Sequence, residues 1–137
     1  MSVQIDARGP RWSALITTFV LAIAIITSNV WVITFQAVVF AIGALRGPQF
    51  TPYAYIFKKV VKPRLKSQAA LEDVRPPQFS QAVGLIFALV AIIGSATGAG
   101  GVFTVAVGFA LAAAFLNAAF NFCLGCQMYL LILRAAK

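Results

Sequence analysis

VFTVAVGFALAAAFLNAAFNFCLGCQMYLLIL runs from Val102 to Leu133, thirty-two residues without one charge. As a single helix it would reach about 48 Å, against a hydrocarbon core of about 30 Å. Such a run must tilt, continue past the membrane or bend. Gly125, lying between Cys123 and Cys126, is the natural place to bend.

The rest of the chain has the same character. Of its 137 residues 61% are hydrophobic and 10% charged, with mean hydropathy +0.93. That leaves too little polar surface to cover a soluble domain, so most of the solvent must be lipid. Apolar runs at about 12–26, 30–45, 79–96 and 102–133 predict an all-α integral membrane four-helix bundle, built as two hairpins within a single domain, 1–137. The first run has the basic start of a secretory signal, but no small-x-small site follows it and a second run comes at once. It is read as a retained helix.

Charge orients the spans. Eleven Lys and Arg against three Asp and Glu give +8. Arg8 and Arg11 precede the first run, and Arg46, Lys58, Lys59, Lys62, Arg64, Lys66 and Arg75 fall between the second and third. Arg134 and Lys137 close the chain, while Thr27–Asn29 and Thr97–Gly101 carry no charge. Basic residues on one side of an even number of spans predict a multi-pass protein with both termini cytoplasmic. This distribution points to lipid and away from nucleic acid.

The basic segment 46–78 is more than a loop. At 100° per residue Tyr53, Ile56, Phe57, Val60 and Val61 share one face, and Lys58, Lys59 and Lys62 the other. Pro52 can open such a helix and Pro63 ends it. The pattern predicts a short amphipathic helix lying in the interface, its apolar side in lipid. Lys58, Lys59, Lys62 and Arg64 would then meet headgroups, or dock an acidic partner.

A faint repeat accompanies this layout. RGPRWSAL at Arg8 and RPPQFSQA at Arg75 share Arg, Pro, an aromatic and Ser at an offset of 67 (75 − 8). Both copies would start on the cytoplasmic side, as in a parallel repeat of hairpins.

Several chemistries fall away. No histidine means no Ser-His or Cys-His nucleophile, and three acids, all outside the spans, leave no intramembrane carboxylate relay. No phosphate-cradling loop follows the glycines. The Cys-x-x-Cys of Cys123 and Cys126 remains. Two thiolates are half of a zinc site, so a metal would need a dimer, and no metal or other cofactor is expected. An i, i+3 pair lies on one helix face and closes into a disulfide only with local distortion, which Gly125 permits. A new helix starting near Gln127 would add a dipole that favours a thiolate. The plainer alternative is that both are small residues that let helices approach. Asn117 and Asn121, one turn apart on the face of Gly125, and Gln127 after them, form a polar ridge. It points into the bundle, toward Asn29 or Gln36, or gives the thiols a polar approach.

The Arg-x-Pro-Arg entry, the loop ending EDVRPPQFSQAVGL and the segment AAAFLNAAFNFCLGCQMY together resemble the small bacterial membrane proteins catalogued as domain of unknown function 4395. The resemblance covers nearly the whole chain, Phe115–Tyr129 most specifically. It implies a bacterial plasma membrane and, by association only, sulfur or thiol chemistry with a thioredoxin-like or sulfurtransferase partner. The expectation is a membrane component of thiol or sulfur handling that presents a reduced Cys123–Cys126 pair on the cytoplasmic side. Whether it is itself an enzyme stays open. A non-catalytic subunit or anchor of a larger assembly, and a small oligomeric transporter, are the alternatives.

Overall fold

The computed structural model describes residues 4–6, 8–61, 71–120 and 124–136, with side chains for 9–60, 74–120 and 125–136. In chain order these form β1 (Gln4–Asp6), α1 (Arg8–Thr27), α2 (Val30–Leu45), α3 (Pro52–Ile56), β2 (Leu71–Asp73), α4 (Arg75–Ala96), α5 (Gly100–Phe120) and α6 (Leu124–Ala136). By length and composition α4, α5 and α1 from Gly9 can each cross a membrane; α2 is apolar but has only 16 residues.

Local chemistry sets the boundaries. Between α1 and α2 the chain reverses at Ser28 (φ 52), and Asn29 caps α2 by accepting from the Trp31 N–H at 2.9 Å. Pro76 and Pro77 open α4, where a missing N–H costs nothing. Gly98, at φ 80, supplies the left-handed residue of the α4–α5 turn. After α2, Pro48–Phe50 forms a 3₁₀ turn, Thr51 caps α3 and Pro52 is its first residue. A turn of wider π pitch, Phe57–Val61, continues α3.

The long helices meet in a ring: α1 packs on α2 and α5, and α4 on α2, α5 and α6. Small side chains face inward, among them Ala24, Ala88, Ala91 and Ala106, with Leu21, Ile33 and Val107 between them. Phe19, Ile26, Trp31, Ile86, Ile93 and Phe109 point outward and are more than half exposed. That ordering suits lipid, where close backbone approach rather than burial of bulk holds helices together. A Cβ on Gly84 would lie 2.7 Å from Phe40 Cε1, and one on Gly43 2.7 Å from Gln81 Cγ. The α2–α4 contact thus depends on both glycines.

The run Val102–Leu133 is described as α5 to Phe120 and α6 from Leu124, and the three residues between lie outside the described ones. The helical fold is joined by one short antiparallel strand pair, β1 and β2, with Gln4 opposite Asp73, Ile5 opposite Glu72 and Asp6 opposite Leu71. One expectation needs correcting. The apolar face of 53–61 is not simply laid in lipid. Tyr53 and Phe57 are buried in protein, Phe57 against Gly9 of α1, while Ile56 and Val60 stay half exposed.

Tyr53 shows why that face turned inward. Its hydroxyl donates to Gln36 Oε1 at 2.7 Å, tying α3 to a wholly buried glutamine of α2. Burial pushes the Tyr53 hydroxyl up to about 12, so it stays a donor through neutral pH. Gln36 Nε2 is also buried and has no hydrogen-bond partner among the described residues. Tyr53→Phe therefore strands the whole amide and should cost about 1–3 kcal/mol. Adding Gln36→Leu should recover part of that loss, as thermal unfolding in detergent will report.

Candidate functional site

Cys126 is the third residue of α6 as described, Leu124–Ala136. It sits there because Gly125 lets α6 come down on α4. A Cβ at Gly125 would lie 2.6 Å from Ser80 Cβ and 2.7 Å from Ser80 Cα. Phe79 and Tyr129, rings 5.5 Å apart, continue the contact one turn further on. Cys126 is partly buried and disulfide-bonded. Cys123 and Asn121 lie outside the described residues.

The Cys126 side chain lines a cavity of about 660 Å³ between α1, α4, α5 and α6. Phe40, Phe87 and Phe109 line its apolar part, whereas Arg11, Ser80, Gln81, Asn117 and Gln127 bring polar groups to the wall. Arg11 is the one charged residue among the described lining, and its Nε donates to Ala118 O at 3.1 Å, in the last turn of α5. A cation at a helix C-terminus is well placed against the dipole. Gln81 Oε1 is buried with no partner among the described residues. That amide lies against Gly43 of α2, and the polar part of the wall can hold water or a small polar reactant.

Two of the three residues of the predicted ridge, Asn117 and Gln127, do line this cavity with Cys126. Their expected helix-to-helix partners are engaged elsewhere: Asn29 caps α2, and Gln36 accepts from Tyr53. Of the proposed docking cations, Lys58 donates to Gln49 O at 3.2 Å and stands over the Tyr55 ring, and Lys59 is exposed. Lys62 and Arg64 lie outside the described residues. Sequence reasoning missed Arg11, read as a marker of the interface, and Ser80 and Gln81, read as part of the third apolar run. Gln78 and Gln81, one turn apart, were the available signal.

The family model described as Domain of unknown function (DUF4395) matches residues 5–134, nearly the whole chain. This chain belongs to that family. No curated protein and no solved structure matched it. Membership in DUF4395 brings no activity with it, so the chemistry must be argued from the cavity and its sulfur. Among the described residues no group of three or more metal-ligating side chains forms.

Proposed function

We propose that this DUF4395 chain is a membrane component of thiol or sulfur handling, in which Cys123 and Cys126 interconvert between dithiol and disulfide. The observation that carries the reading is Cys126 itself: disulfide-bonded, near the start of α6 as described, on the wall of a partly polar cavity. Exchange is balanced within the pair. A partner thiolate attacks one sulfur, the other leaves as a thiolate, and a second partner thiol completes the transfer. A soluble thioredoxin-like or sulfurtransferase protein is the proposed partner.

In this reading α1, α2, α4 and α5 are the four spans, in two hairpins. The plasma membrane would hold them with the α1 and α4 entrances, and both termini, facing the cytoplasm. Support comes from charge, since Arg8, Arg11, Arg46 and Arg75 lie at those entrances, where Arg11 and the neutral Gln78 donate to carbonyls near the ends of α5 and α2. Ser28, Asn29 and Thr97–Ala99 form uncharged turns at the opposite end. A tag between Lys66 and Glu72 should therefore be protected in intact cells, and one at Gly100 exposed. Labelling of an introduced cysteine near Lys66 from outside intact cells would reverse the orientation.

The function is tested by trapping. Oxidised chain in inside-out vesicles, mixed with a thioredoxin whose resolving cysteine is replaced by serine, should form a mixed disulfide that reductant removes. The Cys123→Ser/Cys126→Ser chain should form none. Equal capture by both would assign the contact to something other than the thiols.

A further inference from the structure

The strand register carries an unexpected regularity. At an offset of 67 (71 − 4), β1 and β2 occupy equivalent positions, as do the helix starts Arg8 and Arg75. Ile5, at the centre of β1, lies opposite Glu72, its own equivalent, while Gln4 and Asp6 lie opposite the equivalents of one another. An antiparallel ladder has that register when a two-fold axis passes through its middle pair.

The same operation reappears in the packing. The equivalents Arg11 and Gln78 each reach from the first helix of one half to a carbonyl near the end of the second helix of the other, Ala118 and Ala44. The α1–α5 contact corresponds to the α4–α2 contact, and the turn Phe57–Val61 on α1 to α6 on α4. Burial repeats as well. Leu21 and Ala88, Ala24 and Ala91, Gln36 and Phe103, Val39 and Ala106, Phe40 and Val107 are all buried at the same offset. Hydrophobic patterning alone would make helices similar, but it would not set the ladder register, nor send the equivalent donors Arg11 and Gln78 each to a carbonyl of the other half, although those acceptors, Ala118 and Ala44, are seven residues from equivalence (44 + 67 = 111).

We infer that the chain is a duplicated strand–helix–helix–short-helix unit closed about an internal two-fold axis, and that the cavity beside Cys126 is the axial chamber between the two copies. Its facing walls are equivalent positions: Pro10 with Pro77, Ala14 with Gln81, and Thr17 with Gly84. The copies have diverged at one point that matters for chemistry, since the position equivalent to Cys126 (126 − 67) is Lys59. A shared chamber thus receives a sulfur from one side only, which gives a symmetric shell a single reactive wall. The equivalence also makes the start of α6, Leu124–Met128, the counterpart of the turn Phe57–Val61, so α6 ends the second unit at the same membrane face and does not lengthen a span. None of this depends on the thiol exchange proposed above.

Two-fold symmetry requires the separation of positions 26 and 112 to equal that of 45 and 93. Spin labels on full-length chain lacking both native cysteines, at Ile26→Cys with Ala112→Cys and at Leu45→Cys with Ile93→Cys, occupy exposed sites where folding is undisturbed. Coincident distance distributions are expected; well-separated means would overturn the axis. In the same background Ala14→Cys with Gln81→Cys should be bridged within one chain by a short bifunctional thiol reagent. Failure of the bridge with the distances still matching would remove the chamber from the axis. Neither readout involves thiol exchange, so its outcome is separable from that of the trapping experiment.

Discussion

Cys126→Ser should abolish the proposed disulfide exchange with a thioredoxin-like partner while leaving the helices assembled. A lone thiol at position 123 cannot form the internal disulfide, so turnover falls to the background of the double variant. Stability responds far less. By loop-closure entropy a cross-link across so short a loop contributes at most about 2 kcal/mol. Ser also fits the space beside Gly125 and Gln127. The expected signature is a complete loss of mixed-disulfide formation with the unfolding midpoint lowered by only a few degrees. Equal loss of fold and activity would mean that Cys126 is a packing residue, and the subunit or anchor alternative would take precedence.

Gly125→Val separates α6 from α4. The added side chain starts 2.5–2.7 Å from Ser80 Oγ, Cβ and Cα, and backbone cannot retreat as a flexible side chain does. Overpacking of this kind costs about 1–3 kcal/mol, and here the cheapest relief is to lift the first turn of α6. That would take Cys126 off the cavity wall and part the Phe79–Tyr129 rings. Thiol labelling of the reduced chain should become faster as exchange with the partner becomes slower, a combination that simple unfolding of the whole chain would not give. Ser80→Gly removes two of the three close atoms and should restore part of both readouts. A Gly125→Val chain with unchanged labelling would show that α6 is not seated through this contact.

What was legible in the sequence followed from solvent and periodicity. Long uncharged runs separated by Ser28–Asn29 and by Gly98 are enough to place α1, α2, α4 and most of α5, because nothing but helix satisfies a backbone in lipid. Gly125, read as a hinge from its place in the overlong run Val102–Leu133, serves as a close contact for Ser80. The inward turn of Tyr53 was not legible either. A period of 3.6 shows which residues share a face but cannot say whether lipid or Gln36 meets it. The strand pair escaped for a similar reason. Three-residue strands carry no periodic signal. Arg11 belongs to the same class of misses, since a basic residue at a span entrance reads as a membrane anchor until α5 is seen ending beside it.

The central claim is a redox-active cysteine pair reached from the cytoplasmic face, and counting mass tags tests it most directly. Inside-out membranes without detergent are treated with a bulky maleimide, either as isolated or after mild reductant that is then removed. The account predicts no tag on the oxidised chain, two tags per chain after reduction, and none again after re-oxidation, with right-side-out vesicles unlabelled throughout. Tags that appear only in detergent, or that reach the cysteines from the outer face, would contradict it.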